Sequence, residues 1–224
     1  MKLVWSPEKA SKAYIDTVKS CEIFQESSVA ELISAMAAGW DAKMIVETWS
    51  KGGVMATSIG LSVAAHHTNG RHICIVPDEA SKSDYLHFIQ QNSGVILPEV
   101  IVGEPEKAMN GLKGIDFLVV DCRLNDFGRI LTVAKLGHRG AVLICKNASS
   151  RFVDNEFRWR SYLDGKSRIV RSVFLPVGKG LDIAHVGATV SGGGSGGGSG
   201  GGKVERRWIR HFDRETGEEF VIRK

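Results

Sequence analysis

Short apolar runs alternate with stretches of helical spacing through most of this chain. Residues 44–49 (MIVETW), 72–77 (HICIVP), 95–103 (VILPEVIVG), 115–122 (IDFLVVDC) and 141–147 (AVLICKN) predict five strands, most of them apolar on both faces as buried parallel strands must be. Between them, residues 55–67, 80–91, 105–112 and 125–136 have the 3.6-residue periodicity of helices packed on a sheet. Upstream, 7–20 and 28–38 predict two further helices, the second opened by a capping box from Ser28 to Glu31. The pattern changes near the end, where SRIVRSVFLPVG and GLDIAHVGATV form two strand-like runs joined through Gly178-Lys179-Gly180, with no room for a helix. The expected fold is therefore α/β, a doubly wound and mostly parallel Rossmann-like sheet that ends in an antiparallel hairpin.

Residues 191–202 read SGGGSGGGSGGG, the composition of an engineered flexible tether. This divides the chain into a domain at 1–190, a linker at 191–202 and a tail at 203–224. A linker of this length spans roughly 20 Å and sets an effective concentration on the order of millimolar. The arrangement suggests that the domain binds the tail, so residues 203–224 stand for a protein or peptide partner.

The tail, KVERRWIRHFDRETGEEFVIRK, carries a hairpin pattern: two aromatic and β-branched runs flank a turn at 213–217. With period two, Trp208 and Phe212 share a face with Arg210. An isolated two-stranded hairpin is marginal in water. Trp208, Phe212, Phe220 and Arg210 are accordingly the candidate anchors, docking either on a sheet edge or in a surface groove.

Composition narrows the classes further. The hydrophobic fraction of 43% suffices for a core, and no apolar run approaches the ~20 residues of a membrane helix. The first residues lack the apolar stretch of a secretion signal, giving cytoplasmic or nuclear localisation as the expectation. Cys21, Cys74, Cys122 and Cys145 include no CxxC pair, which argues against zinc and disulfides. Net charge is +4, and the tail, with seven basic and five acidic residues, accounts for half of it. Neither part has the charge of a nucleic-acid binder.

Three stretches carry a resemblance over residues 28–190: ETWSKGGVMATSIGLSVAA, the acid-terminated GIDFLVVDC, and the closing VFLPVGKGLDIAHV. Together they resemble the class I S-adenosylmethionine methyltransferases, among them the caffeoyl-coenzyme A type O-methyltransferases. More narrowly, the domain resembles a plant family of uncharacterised proteins with this fold. The resemblance implies cofactor-binding positions at Gly52 and Gly53 in the turn after the first strand, at Asp78 after the second, and at Asp121 after the fourth. It also implies that Asp121, Lys146 and Asn147 occupy the positions of a divalent-metal site.

Departures from the family pattern set the functional expectation. Val54 and Met55 follow the glycines where small residues would be expected, and Pro77 displaces the ribose acid to Asp78. Lys146 stands where a carboxylate ligand belongs, and its ammonium would repel a metal ion and could pair with Asp121. Asp121 could equally serve only as a strand-end acid paired with Arg123 or Lys146. The expectation is thus a degenerate, non-catalytic adaptor without metal or resident cofactor. The rival reading is an active S-adenosylmethionine-dependent methyltransferase regulated by the tail. His66-His67 reads as a helix C-terminus, and Phe157, Trp159 and Tyr162 as packing or a groove lining.

Overall fold

In the computed structural model, residues 5–22, 28–92, 96–124, 126–149, 159–163, 168–188, 208–212 and 219–223 are described. Two units divide the chain, Met1–Ser191 and Gly192–Lys224.

The first unit opens with helices α1 (Pro7–Ser20) and α2 (Val29–Gly39) and continues as β1 (Met44–Thr48), α3 (Met55–Thr68), β2 (Arg71–Val76), α4 (Glu79–Asn92) and β3 (Glu99–Val102). It then returns through α5 (Pro105–Gly111), β4 (Phe117–Asp121), α6 (Phe127–Val133) and β5 (Gly140–Lys146) to β6 (Ile169–Leu175) and β7 (Leu181–Gly187). The seven strands lie in the order β3-β2-β1-β4-β5-β7-β6. The first five are parallel, and β7 runs antiparallel between β5 and β6. The expected fold class is the observed one.

Strand alternation explains why these runs are apolar on both faces. Ile45, Phe117, Val119, Val142 and Ile144 pack towards Ile33 and Leu61 on one side. Val46, Leu118, Val120 and Leu143 pack towards Met109 and Ile130 on the other. The chain winds outwards from β1 to β3 and resumes at β4 on the other flank of β1. The strand order thus reverses between β1 and β4, and an open α/β sheet places its crevice at the carboxyl ends of such a pair.

Three local expectations need correction. Ser28 sits at φ +80° and makes no side-chain cap, while Glu31 is buried, so the capping box does not form; a box needs an extended N-cap residue. The third strand is only four residues long, since Pro98 has no N–H to give a ladder. Helix α6 stops at Val133, because the Lys135 carbonyl accepts from the Gly114 and Ile115 amides and Leu136 bridges Ile115.

In the second unit, β8 (Trp208–Phe212) and β9 (Glu219–Arg223) pair antiparallel, with Trp208 opposite Arg223 and His211 opposite Phe220. The hairpin pattern is realised as strands. Its turn at 213–217 and the Gly/Ser run at 191–202 lie outside the described residues.

Candidate functional site at the strand-order reversal

The turn leaving β1 is closed by the Gly53 amide donating to the Ser50 carbonyl at 2.8 Å. Gly52 takes φ +82°, a left-handed conformation that favours glycine, and no atom lies within 4 Å of where its Cβ would project. Gly53 is constrained differently, since a Cβ there would lie 2.8 Å from the Trp49 indole nitrogen. Trp49 itself is buried edge-on against Tyr85, with ring centroids 5.3 Å apart. Met55 joins that cluster, while Val54 faces a neighbouring cavity. Helix α3 starts immediately afterwards, and its N-cap residue Val54 offers no side-chain acceptor.

Several polar groups beside this turn are buried without a hydrogen-bond partner: Thr48 Oγ1, Trp49 Nε1 and Thr57 Oγ1. Native interiors pair nearly all such groups. Thr48 and Trp49, adjacent at the end of β1, mark a place where a polar ligand would satisfy them.

Behind the turn lies a buried polar chain that the sequence reading missed. Glu47, on β1, accepts from the Tyr85 hydroxyl at 2.9 Å and meets His72 Nε2 at 3.2 Å, while His72 Nδ1 meets the Ser62 hydroxyl at 2.8 Å. Burial pushes the Glu47 carboxyl up, but the His72 hydrogen bond and charge, aided by Lys146, outweigh it and hold the group below its ordinary value. The available signal was the lone acid inside the apolar run MIVETW.

Asp121 ends β4 with its carboxylate buried, accepting from the Arg123 amide at 2.9 Å and from the guanidinium at 2.7–3.2 Å. Burial raises its carboxyl; the Arg123 hydrogen bonds, with help from Asn147 and Lys146, outweigh that and lower it. The ion pair with Asp121 therefore belongs to Arg123, and the expected Lys146 partner acts only through its charge. Arg123 wins because it follows two residues after Asp121 and presents a planar fork that fits a carboxylate. Lys146, at the end of β5, is 4% exposed. Asn147 follows it at φ +60°. Asp78 is exposed and accepts from the Ser81 amide at 2.7 Å, so it caps the start of α4.

These elements frame a cavity of about 330 Å³. The first turns of α2 and α3 form one wall with Val29, Val54 and Thr57; Arg123, Lys146 and Asn147 follow from the ends of β4 and β5. The hairpin between β6 and β7 closes the far side with residues 177–181, its turn using Gly178 at φ +60° and Gly180 at φ +86°. Asp121, Lys146 and Asn147 come together as the sequence suggested, with Gly52 and Gly53 on the adjoining turn. Asp78 stands apart on the α4 side. Trp159 is a packing residue: its indole donates to Asp182 at 2.7 Å, and Tyr162 covers Phe127 and Gly128. Phe157 lies outside the described residues. Trp208, Arg210 and Phe212 sit on β8 and Phe220 on β9, in the separate second unit.

Solved structures share this fold. A methyltransferase from Geobacter sulfurreducens is 20% identical, with a TM-score of 0.56 over 79% of this chain and 88% of that one. The O-methyltransferase TomG from Streptomyces achromogenes, involved in tomaymycin synthesis and crystallised with S-adenosylmethionine, is 23% identical, with a TM-score of 0.56 over 83% and 92%. A Podospora anserina methyltransferase bound to S-adenosylhomocysteine is 12% identical, with a TM-score of 0.55 over 81% and 89%. A search of curated proteins returned no match. The expectation of a fold without a cofactor is corrected by these structures: proteins of this fold are crystallised with S-adenosylmethionine or S-adenosylhomocysteine bound. A family model described as "Protein of unknown function (DUF1442)" matches residues 1–224, and the chain belongs to that family, with the fold of S-adenosylmethionine-dependent methyltransferases.

Proposed function

We propose that the first unit is an S-adenosylmethionine-dependent methyltransferase of the O-methyltransferase type. The observation that carries this reading is the pair of unpartnered polar groups, Thr48 Oγ1 and Trp49 Nε1, at the end of β1 where the strand order reverses. Gly52, with open space beside it, and the uncapped start of α3 suit close approach of a charged ligand. When bound, the cofactor would supply an electrophilic methyl group. Thr48, Trp49 and Gly52 would hold and orient it, and the apolar walls at Val29, Val54 and Leu181 would keep water from the transfer. Asp78 would have to give up its cap on α4 to reach a ribose.

Metal assistance is not part of the proposal. Lys146 puts an ammonium where the third ligand would stand, and Asp121 is already held by Arg123. The test is thermal: S-adenosylhomocysteine at a hundred times its dissociation constant should stabilise the chain by about 2.7 kcal/mol, or roughly 5–10 °C in Tm for a chain of this size. No shift at millimolar ligand would refute the reading.

Recognition of the tail is the second reading, favoured only by the pairing of β8 with β9 into a hairpin. Titrating untethered 203–224 peptide into residues 1–190 tests it. Binding should weaken by about 2 kcal/mol or more on Trp208→Ala, and no binding at all would remove the adaptor role.

A further inference from the structure

Among the described residues lining the cavity, every charged one is a cation: Arg123, Lys146 and Lys179. Lys146 is 4% exposed, and no hydrogen bond or ion pair to its ammonium is found among the described residues. Its two nearest acids are engaged elsewhere, Asp121 by Arg123, and Glu47 by Tyr85 and His72. An ammonium on a cavity wall with no hydrogen-bonded counter-ion of its own suits a ligand of opposite charge. Thr57 supplies a second, independent sign, being 1% exposed with its hydroxyl unpartnered. The same turn of α3 brings a helix N-terminus with no side-chain cap, whose partial positive charge favours anions. Beside the polar Asn147, the other described lining residues are apolar, Val29, Ala30, Val54 and Leu181 among them.

We propose that this cavity binds the oxyanion of a small acid with an apolar body, held by the Lys146 ammonium and the Thr57 hydroxyl, and that this acid is the acceptor substrate. The assignment as acceptor rests on the methyltransferase reading above. Lys146 ends β5, separated from β1 by β4, so it stands on the opposite side of the strand-order reversal from the Gly52 turn. An acid held there would lie beside the donor rather than in its place.

The probes are benzoate and its neutral counterpart benzamide, titrated calorimetrically into the full chain with and without saturating S-adenosylhomocysteine. Benzoate should bind at least tenfold more tightly than benzamide, and S-adenosylhomocysteine should not displace it. Lys146→Met should weaken benzoate by about tenfold or more, and Thr57→Val by severalfold. Should Lys146→Met fail to fold, the benzoate-to-benzamide ratio of the parent chain and the Thr57→Val titration decide. Equal affinities, absence of benzoate binding, or indifference to both substitutions would overturn the site. Displacement by S-adenosylhomocysteine would overturn the acceptor assignment, since the oxyanion would then be the donor's own carboxylate. Lys146-dependent benzoate binding without any S-adenosylhomocysteine binding would sink the methyltransferase reading and leave the anion site standing.

Discussion

His72→Leu would take from Glu47 the group that holds its carboxyl below the ordinary range, leaving a fully buried acid with the Tyr85 hydroxyl and the smaller help of Lys146 and Ser58. Leaving a buried carboxylate without one of its hydrogen-bond donors costs about 1–3 kcal/mol, which in a chain of this size lowers Tm by roughly 2–12 °C. The pH dependence is the sharper signature. In the parent, the depressed Glu47 value means that its contribution is full above about pH 5 and is lost as pH falls through the folded value. In the variant, burial dominates and raises the Glu47 value, so the buried carboxyl is best tolerated when protonated and its penalty grows as pH rises. Urea denaturation at pH 7.5 and pH 5 should show the gap between parent and variant narrowing towards acid. Glu47→Gln, which keeps the shape and removes the charge, should flatten the gap across that range. A His72→Leu penalty equal at both pH values would refute the conclusion that Glu47 is a buried carboxylate stabilised by His72.

Arg123→Ala leaves the Asp121 carboxylate buried without its fork and should destabilise by about 1–3 kcal/mol in thermal melts; an unchanged Tm would mean that Asn147 and Lys146 suffice. Trp159→Phe removes the indole donor to Asp182, whose carboxyl burial already pushes up. The loss should be about 1.5–3 kcal/mol at pH 7.5 and should shrink as pH falls towards the raised Asp182 value, where protonation removes the need for the donor. Gly180→Ala should destabilise more than Gly52→Ala. Both force φ above zero at a cost of about 1–2 kcal/mol, but a methyl at Gly180 also meets the Ser149 amide nitrogen at 2.8 Å while Gly52 faces open space. Equal urea midpoints for the two would contradict the packing described around the hairpin.

The architecture was legible because buried parallel strands are apolar on both faces and amphipathic helices are not, so period alone separated β1 to β5 from the helices between them. Boundaries failed where tertiary pairing overrode the local pattern, as at α6, whose final residues are drawn into a bridge with Ile115. Capping residues read as a Ser28–Glu31 box did not behave as one, since the chain enters α2 in a left-handed conformation that sequence spacing cannot reveal. At the site, the grouping of Asp121, Lys146 and Asn147 was foreseen, but not who pairs with whom: Arg123 takes the Asp121 carboxylate, and Lys146 lines the cavity. Thr57, Ser62 and His72 were invisible because a small polar residue in a helix or strand carries no periodic signal. Their roles appear only when α3 is laid against β1 and β2. The expectation of a site without a cofactor went too far from single departures such as Pro77 and Val54, which alter the edges of the crevice and leave the strand-order reversal intact.

A crystal structure of the full chain grown with S-adenosylhomocysteine tests the central claim most directly. The account predicts density for the ligand at the carboxyl ends of β1 and β4, against Thr48, Trp49 and Gly52, with the Thr48 hydroxyl and the Trp49 indole nitrogen each gaining a partner. Ligand bound elsewhere, or crystals from saturating ligand with those groups unengaged, would contradict it.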